Sequence, residues 1–295
     1  GDDSKDVATV FMNMAIVHQH QGEYEKSMNL YEKSLAIFKR VFGDDSKDVA
    51  DVLVNMALVL NDQGEYEKAM NLYEKSLAIL RDDDVADIYT SMADVCQRQG
   101  EYEKAMNFYE ISLEKFGGAS RRVAITYLNM ANLYGRQGKC EDAMKLYAKS
   151  LEISKKVFGD EHVAKVYLNM ARTREMQGEY GDAMILCEKS KKIIEQVFGD
   201  GGKKEAAVFM VMACVREDQG EYEKAMNLCK KSLKIFQEFG DSDCNEIIKI
   251  KMHQIRITLK LYLAQRHEDY TELLEKMVQE LLEKMVQTFD KEESV

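Results

Sequence analysis

The strongest constraint on this chain is a segment that repeats along most of its length. The stretch QGEYEKSMNLYEKSLAI at residues 21–37 returns at residues 63–79 with one change, Ser27 to Ala69. A glycine that directly follows a glutamine marks the same point in six successive copies: Gly22, Gly64, Gly100, Gly138, Gly178 and Gly220. These glycines are 36 to 42 residues apart. Self-similarity at such a period is typical of arrays that stack one small structural unit, so the copies predict a repeat domain over residues 1–240.

Each copy carries the start and stop signals of two helices. An apolar-periodic run, which Asp6, Asp48 and Asp84 are predicted to cap, ends at the Gln-Gly glycine. A left-handed residue commonly ends a helix there. Glu23 then falls in the first turn of a second helix, where the helix dipole favours an anion. The second helix is predicted to end at a later glycine: Gly43, Gly159, Gly199 or Gly240. The repeating unit is therefore a helical hairpin, helix A followed by helix B.

The composition supports long helices and narrows the class of protein. The 295 residues include no proline, so helix B meets no helix breaker before those glycines. The 36-residue interval between Gly64 and Gly100 predicts one shortened helix B. No apolar run approaches the ~20 residues that span a membrane, and a net charge of −11 argues against a nucleic-acid partner. The six cysteines have no CxxC spacing, so we expect reduced thiols and a cytoplasmic location.

Small and aromatic residues recur at fixed distances from the turn glycine. A small residue lies seven positions before it, at Ala15, Ala57, Ala93, Ala131, Ala171 and Ala213. An aromatic residue usually lies two positions after it, at Tyr24, Tyr66, Tyr102, Tyr180 and Tyr222. This pattern resembles the tetratricopeptide repeat, in the 42-residue form of the kinesin light chain repeats. The resemblance implies an all-α fold, a right-handed α-solenoid of six helical hairpins. This sequence departs from the family pattern at two places. It has Lys-Asp where the family usually has His-Pro, and Met-Ala where the family usually has Leu-Ala.

The predicted repeats and the C-terminal segment divide the chain as follows. The repeats cover about residues 1–42, 43–80, 81–118, 119–158, 159–200 and 201–240. Residues 241–295 are expected to form a degenerate seventh repeat of capping helices. Within them, residues 247–263 alternate as a strand would, but a helical stripe favours helix: Ile248, Met252, Ile255, Leu259 and Tyr262.

The end of the chain carries an apolar helical stripe, which is expected to be buried against another surface. LLEKMVQ occurs at residues 273–279 and again at 281–287. The stripe comprises Leu273, Leu274, Met277, Val278, Leu281, Leu282, Met285, Val286 and Phe289. One interpretation is a cap that covers the sixth repeat, as solenoids need. The alternative is a homo-oligomer or a docking site in a larger assembly, formed through residues 271–289.

Methionine and cysteine are predicted to pack rather than react. Twelve of the eighteen methionines fall at two repeat positions beside the small residues, where helices A and B must meet. Cys96, Cys187 and Cys229 fill positions that other repeats give to tyrosine or leucine. We therefore expect core packing, no metal and no cofactor.

One repeat position carries asparagine in four copies. It lies nine residues before the turn glycine, at Asn13, Asn55, Asn129 and Asn169. An asparagine side chain offers both a donor and an acceptor, so it can match a peptide bond. The resemblance implies that helix A lines the concave face of the solenoid and that these asparagines hold the backbone of a bound peptide. The alternative is a solvated polar position without a ligand.

Other helix A positions set the charge of the predicted groove. It is expected to be acidic over repeats two and three, through Asp51, Asp62, Asp87 and Asp94. It becomes basic over repeats three to five, through Arg98, Arg136, Lys165 and Arg172, with Asn132 on the same face. Arginine grips carboxylates with two parallel hydrogen bonds, so an acidic peptide is the predicted ligand. For Arg98 the alternative is neutralisation by Asp94, four residues before it on one helix.

The sequence thus predicts a non-enzymatic protein–protein interaction scaffold, an adaptor similar to the kinesin light chain domain. No nucleophile–base pair, phosphate-binding loop or metal-ligand spacing is present in the sequence. The alternative function is a structural subunit of a larger assembly, held through the C-terminal apolar helix.

Overall fold

The protein is described by a computed structural model that covers residues 4–80, 85–199, 202–238, 244–265 and 273–283. Within those ranges the chain forms α-helices and no strand. Three predictions lie outside the described residues: the cap at Asp84, the helix end at Gly240 and the last part of the apolar stripe, residues 284–289.

Fourteen helices follow one another in the described residues. They are α1 (Lys5–His20), α2 (Tyr24–Phe42), α3 (Lys47–Asp62), α4 (Tyr66–Ile79), α5 (Val85–Arg98), α6 (Tyr102–Phe116), α7 (Arg121–Arg136), α8 (Cys140–Val157), α9 (Asp160–Met176), α10 (Tyr180–Phe198), α11 (Lys203–Asp218), α12 (Tyr222–Glu238), α13 (Cys244–Gln265) and α14 (273–283). The chain divides into two compact units, Gly1–Leu133 and Tyr134–Val295. Each unit is described by itself.

Consecutive helices pair as antiparallel hairpins in each unit. In the first unit α1 packs on α2, α3 on α4 and α5 on α6. In the second unit α9 packs on α10 and α11 on α12, and α13 then packs on α12. The predicted all-α array of helical hairpins is confirmed, and so is helix rather than strand at residues 247–263. The exact repeat boundaries stay a prediction.

The turn between helix A and helix B has the predicted left-handed glycine. Gly22 has φ +77°, and the other five turn glycines lie between +75° and +79°. The Gly22 amide donates to the Gln19 carbonyl at 3.0 Å, and the Glu23 amide donates to the His18 carbonyl at 2.9 Å. These bonds satisfy the last free carbonyls of helix A. Only glycine adopts this backbone geometry without strain.

The predicted N-caps are wrong by two residues. Ser4 and Ser46 cap α1 and α3: each has an extended backbone, and each hydroxyl accepts a backbone N–H three residues on, at 3.4 Å. Asp6 and Asp48 lie inside the first helical turn. Glu23 departs from its prediction as well, because it precedes α2 and makes no side-chain cap bond. Its carboxylate instead pairs with His18 Nδ1 at 2.5 Å and with Lys26 Nζ at 2.8 Å.

Helix B varies in length as the glycine spacing predicts, with one exception. α2 and α10 each have 19 residues and end at Gly43 and Gly199, whereas α4 has only 14. Gly159 does not end a helix B, because its φ is −75° and it begins α9. α8 ends earlier, at Val157.

A buried serine on helix B hydrogen-bonds a carbonyl of helix A in hairpin after hairpin. The bonds run from Ser34 to Ala8 (2.8 Å), Ser76 to Ala50 (3.1 Å), Ser112 to Ala86 (2.8 Å), Ser190 to Ala164 (2.9 Å) and Ser232 to Ala206 (2.9 Å). Each serine is 0% exposed and lies 26 residues after its acceptor. We call this bond the serine clasp. It fixes the axial register of the two helices in one hairpin.

The repeated methionines and cysteines lie mostly in the core. In helix A the predicted methionines are buried at Met56, Met92, Met130 and Met212. Met14 departs from the prediction with 45% exposure, and most helix B methionines are only half-buried. Cys96, Cys187 and Cys229 are buried free thiols, and burial raises the pKa of Cys187 and Cys229 to about 12. Thiols with so high a pKa hold little reactive thiolate, which supports a packing role.

The C-terminal helices bury a different face from the predicted stripes. α13 buries Ile247, Ile250, Ile257 and Leu261, whereas Met252 is 56% exposed and Leu259 43% exposed. α14 contacts α13 where Thr258 meets the Met277 sulfur at 3.5 Å and Lys251 meets Glu280 at 3.4 Å. Much of the final stripe stays in solvent: Leu273, Val278 and Leu282 are 38% to 51% exposed. Within the described residues no cap covers these three side chains, and the alternative interface through residues 271–289 stays a prediction.

Candidate functional site

The predicted asparagines all lie on helix A of their hairpins, within reach of solvent. In the first unit Asn13 lies on α1, Asn55 on α3, and Asn129 and Asn132 on α7. In the second unit Asn169 lies on α9. Asn13 is exposed and the other four are half-buried. Their amides can therefore meet a ligand in either unit.

The second unit carries three of the predicted cations on its A helices. Lys165 and Arg172 flank Asn169 at a spacing of four and three residues, which places all three on one face of α9. Arg136 is the last residue of α7. All three cationic side chains are exposed, so a ligand can reach each of them.

Arg98, in the first unit, was expected either to bind a ligand or to pair with Asp94. The carboxylate that it contacts is a different one. Its guanidinium lies 3.9 Å from Asp62 on the preceding A helix. Asp94, the alternative partner, instead accepts the hydroxyl of Tyr109 at 2.5 Å. Burial raises the pKa of Asp94, and the bond from Tyr109 and the charge of Arg98 oppose that rise. Arg98 therefore lies beside two carboxylates of the first unit, and its contact with a ligand stays a prediction.

The expected acidic stretch of the first unit is partly neutralised. Asp87 pairs with Arg122 at 3.0 Å. Asp62 also accepts the side-chain amide of Gln19 at 3.1 Å. Asp51 is exposed.

A buried carboxylate in the second unit is paired with three basic side chains, and the sequence did not predict this cluster. The Glu217 side chain, on α11, is 1% exposed, and three side chains of α13 surround it: His253 at 3.1 Å, Arg256 at 2.8 Å and Lys260 at 2.7 Å. Burial alone would raise the pKa of Glu217, but Arg256 and Lys260 outweigh it and hold that pKa below its ordinary value. The spacing of the three basic residues, three and four positions apart, could have revealed a cationic face on α13.

These contacts anchor α13 to α11 and also extend the charged surface. The side chains of Arg256 and Lys260 remain 56% and 40% exposed. Glu175, on α9, sits near this group with a pKa raised to about 7, chiefly by burial and then by Asp218, against the opposing charges of Arg172 and Arg256. A carboxyl that is half protonated at neutral pH neutralises Arg172 only in part.

Neither a metal site nor a membrane span is found in the described part of the chain. No group of three or more His, Cys, Asp or Glu side chains there is placed to hold a metal ion. No helix there combines the length and the apolar character needed to cross a bilayer.

Comparison with known families identifies the repeat. A family model for the tetratricopeptide repeat matches residues 6–82, 122–186 and 162–238. A second model, the SusR N-terminal tetratricopeptide domain, matches residues 47–152. No curated protein sequence matches the chain significantly.

Solved structures of similar fold cover most of the chain at low sequence identity. BtubC (BKLC) from P. vanneervenii has a TM-score of 0.64 at 23% identity, over 73% of this chain and 92% of its own. A kinesin light chain-like protein of Podosopora anserina, with nearly identical repeats, has a TM-score of 0.54 at 18% identity, over 64% and 94%. The tetratricopeptide sensor protein PH0952 of Pyrococcus horikoshii, a signal transduction ATPase with numerous domains, has a TM-score of 0.64 at 17% identity, over 97% of this chain but 42% of its own.

The family sets what the fold generally does. Tetratricopeptide repeats generally mediate protein–protein interaction, and the fold is typically a non-catalytic scaffold. The helical hairpins, the left-handed turn glycines and the family matches all point to the same repeat. The chain belongs to the tetratricopeptide repeat family.

Proposed function

We propose that this protein is a non-enzymatic adaptor that binds an acidic linear segment of a partner protein. The binding surface is the A-helix surface of the second unit, defined by Arg136, Lys165, Asn169 and Arg172. One observation carries the proposal: three exposed cations stand with an asparagine on the A helices of this unit.

The chemistry of these side chains suits an extended acidic peptide. Arg136 and Arg172 can each take a carboxylate through two parallel hydrogen bonds, and Lys165 adds a point charge. Asn169, on the same face of α9, adds a polar side chain that can hydrogen-bond a peptide backbone. Because the site is open to solvent, the charge contribution is screened by salt. We expect affinities in the low micromolar range or weaker and a clear loss of affinity at high salt.

A kinesin light chain-like role in the cytoplasm is the finer form of the proposal. It is supported by the repeat length and by the small and aromatic positions that the chain shares with those repeats. The partner is a protein, and neither nucleic acid nor a cofactor takes part.

The test reverses the charge of the proposed surface. The probe is a twelve-residue peptide of Glu, Asp and Leu, and its Gln and Asn analogue serves as the uncharged control. In the variant Arg136→Glu with Arg172→Glu, calorimetry should show the affinity for the acidic peptide falling at least about tenfold. The matched control is Lys155→Glu with Lys192→Glu, which makes the same charge change at exposed positions of helix B in the same unit. Equal affinity of both variants for the acidic peptide would contradict the proposal.

The exposed apolar residues of α14 favour a second candidate, a structural subunit or homo-oligomer formed through residues 271–289. Leu273, Val278 and Leu282 are the residues that such an interface would cover. Light scattering over a range of concentrations tests this function, because a mass that rises with concentration supports it and a constant monomer mass contradicts it.

A further inference from the structure

One buried glutamine of α13 departs from the pattern of the A helices. Gln254 lies 42 residues after Met212, which is the spacing of the repeat. The same position holds methionine in all six preceding A helices: Met14, Met56, Met92, Met130, Met170 and Met212. Ile250, four residues before Gln254, matches Val208 at the same offset, so the register continues into α13. Gln254 is 6% exposed. A polar side chain is therefore buried where the repeat otherwise places methionine.

The side-chain amide of Gln254 has no hydrogen-bond partner in the described part of the chain. The backbone carbonyl of Gln254 accepts the hydroxyl of Thr258 at 2.9 Å, but no donor or acceptor of the described residues meets the side-chain amide. Burying an amide without hydrogen bonds costs free energy, and buried polar side chains are normally paired. A ligand would supply the missing partner.

Gln254 lies in the wall of a cavity between α12, α13 and α14, within the second unit. The cavity has a volume of about 540 Å³, inside the range of about 300–1,000 Å³ that is typical of small-molecule sites. A single water occupies roughly 30 Å³, so one water on the amide would leave most of the cavity unfilled. All three helices contribute apolar side chains to the wall: Met226, Leu233, Leu261, Leu273 and Met277.

The polar groups of the cavity are divided between its wall and its rim. Gln254 and Thr258 are buried, and Thr258 also meets the Met277 sulfur at 3.5 Å, which holds α14 against that wall. Glu223 and Lys230 are exposed and lie seven residues apart on α12. Their opposite charges balance at the rim, and the other lining residues are uncharged. The interior of the cavity is therefore apolar except for one free amide.

We propose that this cavity, the Gln254 cavity, binds a small uncharged compound with a flat apolar body and one carboxamide or lactam group. The Gln254 amide has one acceptor and two donors, so it can pair with such a group through two antiparallel hydrogen bonds. Met226 and Met277 have flexible side chains that adapt to a ring, and their sulfurs make favourable contacts with aromatic rings. An ionised group beside the amide would meet no opposite charge, and its burial there would be costly.

Three related aromatic compounds test the chemistry of the ligand. The probe is naphthamide, a naphthalene that carries one carboxamide. Its N,N-dimethyl analogue lacks the N–H donors, and naphthoate is its charged counterpart. Calorimetry should show saturable binding of naphthamide to the wild type at one site per chain. Each of the other two compounds should bind about tenfold more weakly, because each loses a hydrogen bond to Gln254.

Gln254→Met restores the residue of the other repeats and tests the amide itself. This variant should lose the preference for naphthamide over the dimethyl analogue. It removes an unpartnered buried amide, so it should melt at no lower a temperature than the wild type, and a lost preference then does not come from misfolding. Gln237→Met is the matched control, since it makes the same change at an exposed position of α12 outside the cavity. It should bind all three compounds as the wild type does.

A second pair of variants tests whether naphthamide occupies the cavity. Leu273 lines the cavity and is 43% exposed, so Leu273→Trp narrows the cavity without enlarging a fully buried side chain. It should weaken the binding of naphthamide several-fold. Leu282 lies on the same helix, is 51% exposed and does not line the cavity. Leu282→Trp should therefore leave the affinity unchanged.

Four results would overturn the proposal. They are no saturable binding of naphthamide by the wild type, an unchanged preference for naphthamide in Gln254→Met, a lower melting temperature of Gln254→Met, and equal affinities of Leu273→Trp and Leu282→Trp for naphthamide. The proposal does not rest on the proposed function, because none of these measurements uses the acidic peptide. Either one can fail while the other stands.

Discussion

At the scale of single residues, the hairpins share one buried polar contact and differ in the others. The serine clasp recurs in both units, whereas the polar groups facing the A-helix surfaces change from Asp94 in the first unit to Arg172 and Glu175 in the second. The repeated serine bond joins the two helices of each hairpin, whereas the charged residues that differ between hairpins determine the charge of each A-helix surface.

Removing one clasp should loosen one hairpin. Ser76→Ala takes away the bond to the Ala50 carbonyl and should cost about 1 kcal/mol of local stability, the usual net value of a buried hydrogen bond. Hydrogen exchange of the α3 and α4 amides is the measurement, because arrays open locally. Asn71→Ala, at an exposed position of α4, is the control and should leave exchange unchanged. Unaltered exchange in Ser76→Ala would show that the clasp contributes no stability.

Glu175 should make the second unit less stable as the pH rises. Its pKa in the folded protein is about 7, above the ordinary value of 4.5, so folding favours the protonated form. That contribution is full below about pH 4.5 and is lost as the pH passes through about 7. Glu175→Gln stays neutral throughout, so its melting temperature at about pH 8 should exceed that of the wild type.

The matched variant for that measurement is Glu188→Gln, at an exposed position of α10. It should melt as the wild type does at both low and high pH. If Glu175→Gln and the wild type lose stability in parallel between about pH 5 and about pH 8, Glu175 is not the responsible group.

Residue positions were predictable where they repeat and unpredictable where their partner lies in another helix. The register of the repeats placed Asn55 and Asn169 on helix A without any structure. The clasp of Ser76 depends on a backbone carbonyl, and Glu217 depends on side chains from α13, so neither shows as a sequence pattern. The cap was misplaced because Ser46 and Asp48 both suit that role, and only the backbone conformation of Ser46 decides between them.

At the scale of elements, the number of residues is constant within the hairpin and varies in the link between hairpins. Every serine clasp spans 26 residues, from helix A to helix B. The distance from one turn glycine to the next nevertheless ranges from 36 to 42 residues. The variation therefore falls in the end of helix B and the connection to the next helix A, as the 14-residue α4 illustrates.

Insertions should be tolerated in one kind of connection and not in the other. Two glycines placed between Asp44 and Asp45, in the exposed link before α3, lengthen a loop, which costs well under about 1 kcal/mol. The same two glycines after Gln21 interrupt the turn that Gly22 closes and shift Ser34 away from Ala8. Thermal melting followed by circular dichroism should show near wild-type stability for the first variant and a clear loss for the second. Equal losses would contradict a rigid hairpin unit.

At the scale of the whole molecule, self-similarity was enough to predict the fold. Six copies of one hairpin pattern, without a proline, leave few alternatives to an all-α array, and the family matches bear this out. The division after Leu133 was not predicted. It falls inside α7, where the repeat pattern continues without interruption, so no punctuation in the sequence marks it.

The constant span of the serine clasp has a consequence for how the gene can change in length. Residues 21–37 and 63–79 are nearly identical, so an exchange that joins one stretch to the other in register changes the chain by one whole copy. Such an exchange removes or adds 42 residues. After a removal, Ala8 meets the serine that was Ser76 at the same 26-residue separation as before. Copy number can therefore drift in whole hairpins, and each product inherits a complete set of clasps.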